Sequence, residues 1–384
     1  MFLSKKIRLF PTEEQELLMW KTWGCCRLLY NCFININSDK NTPYIDAYKF
    51  SNYFTLFKQF NQSFDCHDYD FLNEVSRRAI MQAVKNADIA FKRFFNKKAG
   101  FPKFKSRRYD KPTFYVRCDK ERFYSTQNGC KVEKIGNIKT NEPLPKILKD
   151  QHYYDVHISY DNKYWYITVS YEVKEANQII NGDHIGIDLG IKDLAIVSNN
   201  NSKYSKKYKN INKSKKVRKI QKKIKRKQRK LTKQRRLSTK PLQECKNYEK
   251  TRKQIQLLNR KLTNIRETYI HTITKEIVKT KPSHIVMETL RPANLVKNRK
   301  IARHIAEAKW RFFIECMKYK CQLYGISFIQ ADKFYPSTQT CSNCGNRLTG
   351  KDKLTLKDRM YDCKICGEHI DRDINAAINL VNYI

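Results

Sequence analysis

No run of the 384-residue sequence approaches the 18 or so apolar residues a membrane-spanning helix needs. The opening MFLSKKIRLFPTEEQ also lacks the apolar core and cleavage site of a secretory leader, so the chain is expected in the cytoplasm, away from membranes. There is no long Gly/Ser linker and no repeat at a solenoid period. The thirteen cysteines are odd in number and mostly scattered singly (Cys32, Cys66, Cys118, Cys130, Cys245), unlike the even, dense spacing of a secreted disulfide framework. Acid is scarce relative to base: 37 Asp and Glu face 78 Lys and Arg, a formal charge of +41 at pH 7. An ordinary metabolic enzyme has no reason to carry that self-repulsion, so a polyanionic partner is the first inference. Hydrophobic residues still make up 40% and aromatics 12%, which excludes a wholly disordered polybasic tail. The length suits two or three domains with real cores.

KKIRLF (5–10) reads as a strand, and Pro11-Thr12 then opens a helix, with Thr12 as N-cap and Gln15 completing a capping box. Gly24 interrupts the apolar spacing, so a helical pair is expected to about Phe33. A second helical block runs from about Glu74 to Lys98 and ends at Gly100. AGFPKFKSRR (99–108) alternates aromatics with Lys and Arg, a pattern suited to stacking on bases while contacting phosphates. The alternative is a loop whose Phe101 and Phe104 anchor in a core. From Lys111 to Val173 the period falls to two, in FYVR (114–117), VHISY (156–160) and YWYITVSYEV (164–173), the last two joined by a hairpin at Asp161-Asn162-Lys163. HIGIDLGIKDLAIVS (184–198) reads as a further hairpin about Gly190. PSHIVMETL (282–290) reads as a buried strand ending on Glu288, 302–324 as one helix stopped by Gly325, and ISFIQADKF (326–334) as another strand.

Residues 203–240 hold 20 Lys and Arg in 38 positions and no acid. Val217, Ile220, Ile224 and Leu231 nevertheless form one helical stripe, Pro241 breaks it, and a second helix with Ile255, Leu258, Leu262, Ile265 and Ile273 runs to about Lys279. A charge run is usually a solvated face, but like charges without interspersed acids repel. A basic helical hairpin contacting nucleic acid is therefore expected.

Cys341, Cys344, Cys363 and Cys366 form C-x2-C-x18-C-x2-C, the spacing of a zinc ribbon, with a glycine after each pair to close the turn. Four thiolates leave no open coordination position, so one structural Zn²⁺ is expected rather than a catalytic one. The carboxylates point to other chemistry. Asp188 lies in GIDLG, inside a strand that otherwise reads as core, where an isolated carboxylate would be costly. Glu288 repeats the pattern, and Asp371 and Asp373 begin a helix whose Ile374, Ala377, Ile378 and Val381 form an apolar stripe. Each acid alone has a bland reading as a cap or turn residue. Together they offer hard oxygen ligands for Mg²⁺ or Mn²⁺, and two such ions would suit phosphodiester hydrolysis.

GIDLGIKDLAIV, IVMETL, FYPSTQTCSNCG, CKICG and DRDINAAINL, in this order, resemble the RuvC-type nuclease core of the TnpB family, insertion-sequence proteins related to type V CRISPR effector nucleases. AFKRFF and GFPKFKSRR resemble that family's N-terminal half, so the match spans nearly the whole chain. The resemblance implies an α/β plus β architecture. A wedge-like β-barrel would cover 1–10 and 109–180, and a helical recognition part 11–108. A RuvC/RNase H-like core would cover 183–336 and 371–384, with the basic hairpin at 203–280, and the zinc ribbon would cover 337–370. It also implies a guide RNA from the transposon end, a double-stranded DNA target, and Asp188, Glu288 and Asp373 as the catalytic metal ligands; separately, a monomer is expected. The sequence departs from the family at Thr289, where another acid is frequent. It also stops eleven residues after Asp373, so a disordered tail is expected to be short or absent. The competing readings are an RNA-guided repressor that does not cut and a conventional strand-transfer transposase. The three acids argue against the first, and no tyrosine-nucleophile or His-hydrophobic-His signature supports a single-strand transposase.

Overall fold

A computed structural model describes residues 1–39, 41–52, 55, 69–119, 121–147, 152–173, 181–199, 205–239, 241–242, 244–290, 299–355 and 358–383. Cys66 lies outside them. The chain divides into two compact units, Phe2–Val173 and Lys174–Ile384. Among the described residues no helix is long and apolar enough to cross a membrane.

In the first unit, strand β1 (Phe2–Phe10) leads into helix α1 (Glu13–Ile36) through the expected capping box: the Gln15 amide donates to Thr12 Oγ1 at 3.3 Å and the Thr12 amide to Gln15 Oε1 at 3.1 Å. Gly24 does not interrupt the helix. Its position is open, with nothing within 4 Å of where a Cβ would stand, and buried Trp23, Cys25, Cys26 and Leu29 around it pack firmly enough to outweigh its low propensity. The second helical block is shorter than expected, α2 (Arg77–Phe95) capped by Ser76. Both helices share one apolar core with the sheet, in which Ile7, Phe33, Val84, Phe91, Ile158 and Ile167 are all at most 1% exposed. Glu16 ties helix to sheet, accepting hydrogen bonds at 3.2 Å from the indoles of both Trp20 and Trp165.

The sheet joins β1 to β2 (Thr113–Val116), β3 (Phe123–Thr126), β4 (Gly129–Val132), β5 (Gly136–Thr140), β6 (Tyr154–Tyr160) and β7 (Trp165–Glu172), in the order β2-β6-β7-β1-β5-β4-β3. The expected barrel is not closed: among the described residues the four-residue strands β2 and β3 remain as the two edges of an open antiparallel sheet. β1 bridges its halves, pairing with β7 through Arg8 and with β5 at Leu9 and Phe10. In the 99–108 loop, Phe101 packs edge-on against Phe91 and Phe94 at 5.4 and 5.3 Å yet stays 47% exposed, and Phe104 is 56% exposed.

The second unit is built on a five-stranded mixed sheet of order β10-β9-β8-β11-β12. β8 (Asn181–Asp188), β9 (Asp193–Asn199) and β10 (Ser205–Lys209) form an antiparallel meander, while β11 (Pro282–Met287) and β12 (Ser327–Gln330) run parallel to β8. The basic stripe folds as expected: α3 (Lys215–Arg236) packs Val217, Ile220 and Ile224 against Ile255 and Leu262 of α4 (Lys246–Lys279). The single helix expected over 302–324 is instead two, α5 (Arg299–Ala308) and α6 (Trp310–Tyr324), broken at Lys309, whose φ is 54°. The break lets Ile305 and Ala308 bury in the same core as Trp310 and Phe313, while the Lys309 ammonium pairs with Glu267 at 2.6 Å. Gly325, at φ 69°, stops α6 as its left-handed cap.

Candidate carboxylate and thiolate centres

β8 and β11 are neighbours in parallel register, Gly186 opposite Val286 and Ile187 opposite Met287. One residue further on, Asp188 ends β8 and Glu288 follows β11. The two acids therefore leave matched positions on strands about 4.8 Å apart, on the face shared by Gly186 and Val286. That face is covered by α7 (Arg372–Val381), which approaches closely enough that a Cβ on Gly186 would stand 2.1 Å from the carbonyl oxygen of Ala377 and 2.6 Å from the amide nitrogen of Val381. Such an approach requires glycine on the strand and small residues on the helix, and Ala376 and Ala377 are fully buried there. α7 thus brings Asp373, in its first turn, to the end of the sheet where Asp188 and Glu288 stand.

The electrostatics carry the same convergence. Burial pushes the Asp188 carboxyl up to about 8, helped by the negative charges of Glu288, Asp373 and Asp371, with Arg372 pulling the other way. Burial also raises Glu288. Asp371 behaves differently: although burial opposes it, Lys207, 2.7 Å away, and the amides of Ile374 and Asp373 hold its carboxyl below the usual range. Asp371 is the N-cap of α7, its Oδ1 accepting from the amides of Asp373 and Ile374 at 3.0 and 3.3 Å. Both of its oxygens are thus engaged, Oδ1 by the helix amides and Oδ2 by Lys207, whereas the Arg372 guanidinium beside Asp373 engages that residue at Oδ1, at 3.2 Å. The carboxylates are set wider than the cysteines, since among the described residues only the four thiols bring their ligand atoms within 4.8 Å of one another. Their oxygen donors and mutual repulsion fit a hard divalent cation.

The thiol cluster is Cys341, Cys344, Cys363 and Cys366. Sγ atoms lie 3.7 Å apart for Cys341 and Cys366 and 3.5 Å apart for Cys344 and Cys363, close to the edge of about 3.8 Å that a tetrahedron with Zn–S bonds of about 2.3 Å would have. The two turns are built alike. Gly345 (φ 76°) and Gly367 (φ 73°) take the left-handed conformation, and their amides donate to the carbonyls of Cys341 and Cys363 at 3.0 and 2.9 Å. The backbone amide of Cys366 pulls the Cys363 thiol down, whereas burial raises that of Cys341. The donor set and spacing fit Zn²⁺.

Asn375 and Asn379 are site residues that the motif reading passed over. Both are buried on α7 and donate to the Thr340 carbonyl at 2.7 and 2.6 Å; Asn379 also donates to Ser337 at 2.7 Å, and Asn375 Oδ1 accepts from the Ser342 amide at 2.9 Å. The helix that carries Asp373 is therefore clasped to the first turn of the thiol cluster. Two asparagines four apart on an otherwise apolar helix face are the signal that could have found them.

Three family models match along the chain: a "Helix-turn-helix domain" at 1–40, "Probable transposase" (OrfB_IS605) at 167–299, and "Cas12f1-like, TNB domain" at 310–380. Within 1–40 the structure has β1 and one continuous helix. A Streptomyces pristinaespiralis protein named "Putative RNA-guided DNA endonuclease" is 27% identical over 388 residues, covering 98% of this chain and 88% of that one. "TnpB-like protein L79" of Acanthamoeba polyphaga mimivirus is 24% identical over 415 residues, covering 98% and 72%. The solved structure titled "Cryo-EM structure of the Cas12f1-sgRNA-target DNA complex" aligns over 100% of this chain and 99% of that one at 17% identity with a TM-score of 0.37, too low to argue from. The TnpB resemblance carried by the motifs holds.

Proposed function

We propose that this TnpB-like chain is an RNA-guided endonuclease of a transposable element that hydrolyses DNA phosphodiester bonds, with Asp188, Glu288 and Asp373 holding its catalytic divalent metal. The observation that carries the reading is the convergence of three acids, from three distant segments of a chain with a formal charge of +41, at one end of one sheet. Mg²⁺ or Mn²⁺ bound there would activate a water and offset the charge that develops on the leaving 3′ oxygen. The chain's own part is placement. Strand register sets Asp188 beside Glu288, the Gly186 contact seats α7, and Lys207 with the helix amides engages both oxygens of Asp371, which favours Asp373, engaged by Arg372 at Oδ1, as the acid that turns an oxygen to the metal. Arg372 holds Asp373 in place, its guanidinium fixed in turn by the Thr355 carbonyl at 2.9 Å.

The four thiolates are read as one structural Zn²⁺, which steadies α7 through Asn375 and Asn379. The names of the relatives and the acid-free α3 support a guide RNA and a double-stranded DNA target. The open sheet of the first unit is assigned the wedge role and its helices the recognition role.

The test begins with the purified full chain and sequencing of the RNA that accompanies it, followed by Mg²⁺-dependent cleavage of duplexes that match that RNA and are randomised alongside. One discrete RNA and guided cleavage are expected, lost in Asp188→Ala and Asp373→Ala with RNA retained, and only reduced in Asp371→Ala. Full cleavage by Asp188→Ala would sink the assignment of the acids, and a heterogeneous RNA population would sink the guide.

A further inference from the structure

Next to Glu288 the chain holds an aromatic ring out into solvent on a loop anchored by hydrogen bonds at both ends. The loop 331–335 is fastened to both neighbours of Glu288: the Ala331 amide donates to the Met287 carbonyl at 2.9 Å, and the Thr289 hydroxyl donates to the Ala331 carbonyl. On its other side it is fastened to the end of α7. The Asp332 amide donates to the Tyr383 hydroxyl at 2.9 Å, the Tyr335 hydroxyl donates to the Asn379 carbonyl at 2.8 Å, and the rings of Tyr335 and Tyr383 meet edge-on at 4.8 Å. Within the loop, Asp332 accepts from the amides of Phe334 and Tyr335 at 2.8 and 3.1 Å. Every anchor is satisfied, yet the Phe334 side chain is 77% exposed, the one exposed Phe, Tyr or Trp among the described residues of this unit.

The hydrogen bonds hold the loop at both ends and leave the ring to solvent. Phe334 is three residues beyond Ala331, so the two Cα atoms are at most about 11 Å apart, within a few nucleotides of a phosphate held at Glu288. The Lys333 ammonium sits 4.3 Å from the ring centroid, placing a phosphate-binding charge beside a stacking surface.

We infer that Phe334, with Lys333, is a strand-positioning pair, its ring stacking on a nucleobase of the single strand that enters the carboxylate cluster. The inference rests on the nuclease reading for what enters, and its test separates the two. In the Asp188→Asn background, which prevents cleavage, short single-stranded DNA carrying 2-aminopurine at successive positions is titrated into the full chain. One position should report stacking. Phe334→Ala should weaken binding about ten-fold, or about 1.4 kcal/mol, and erase that signal, because the stacked base loses its platform. Phe334→Tyr should restore both, and Phe334→Leu, apolar but without a ring, neither. Zinc content and thermal midpoint should be unchanged in all three. With Asp188 intact, Phe334→Ala should raise KM for single-stranded substrate more than it lowers kcat. Phe334→Leu equal to wild type in affinity and fluorescence would overturn the inference and leave the nuclease standing. A Phe334-dependent signal in a protein that never cleaves would overturn the nuclease and leave the stacking.

Discussion

Replacing Gly186 by alanine adds one methyl group to β8 at the place where α7 lies on it. The methyl carbon would stand 2.1 Å from the Ala377 carbonyl oxygen, against an ordinary contact of at least 3.4 Å, so strand and helix must separate by about 1.3 Å. Both obstacles are backbone, and no change of rotamer relieves them. Overpacking of this kind costs about 1–3 kcal/mol, or a few degrees in thermal midpoint for a unit of this size. The larger effect falls on chemistry. α7 is a ten-residue helix that shifts as a body, and Asp373 in its first turn shifts with it, while a misplacement of about 1 Å at a reacting centre can cost on the order of 10² in rate. Single-turnover cleavage at saturating Mg²⁺ should therefore fall about a hundred-fold with RNA retention unchanged. Gly24→Ala is the control: nothing stands within 4 Å of its added carbon, so it should stabilise α1 by roughly 0.5–1 kcal/mol and leave cleavage alone. Wild-type cleavage and an unmoved midpoint in Gly186→Ala would refute the seating of α7 and the route by which Asp373 reaches the site.

Asp188→Asn should raise the thermal midpoint of metal-free protein at neutral pH. The folded carboxyl titrates near 8 against 3.8 unfolded, so in that interval the folded state keeps a proton the unfolded state has lost, and wild-type stability falls as pH rises from about 4 to 8. The linkage at pH 7 is at most roughly 4 kcal/mol; a wild-type-minus-variant difference flat across that window would contradict it. Chelation of zinc, or Cys363→Ser, should reduce cleavage that excess Mg²⁺ does not restore, because Asn375 and Asn379 lose the carbonyls that steady α7. Metal analysis should find about one zinc per chain, and a zinc-free preparation with full activity would refute the coupling. Neutralising lysines and arginines on the exposed face of α3 should flatten the dependence of log Kd on log salt by about 0.9 per lost duplex phosphate contact, and an unchanged slope would show that helix to be a bystander.

The strands bearing Asp188 and Glu288 are legible in the sequence because each acid interrupts a run of Ile, Leu, Val and Met that only a buried strand explains. The cysteine spacing is legible because two-residue gaps followed by glycine permit one geometry, and Gly345 and Gly367 adopt it. The choice between Asp371 and Asp373 is not legible, since either can cap a helix. The proposed choice leans on Lys207, which engages the second oxygen of Asp371 and belongs to β10, a strand hidden in the sequence by its own charge. The strands between Phe123 and Thr140 escape for a different reason: at four or five residues each, they are too short to display a period. The break at Lys309 escapes because the apolar spacing continues across it, and only three-dimensional packing requires the turn. Closure of the first sheet is invisible for the same reason, because alternation marks a face and says nothing of which edges meet.

α4 takes part in two separate apolar clusters. Its early turns zip Ile255 and Leu262 to α3, and its late turns, from Ile270 to Val278, lie in the core beneath the sheet. At 34 residues it is about 51 Å long, so much of it projects beyond the core it is rooted in. A projecting hairpin of this kind is modular in the way a ladder is: rungs can be added or removed at the far end in matched whole turns while the footing stays unaltered. Shortening both helices by matched turns at the far end should accordingly leave the strands that carry Asp188 and Glu288 undisturbed.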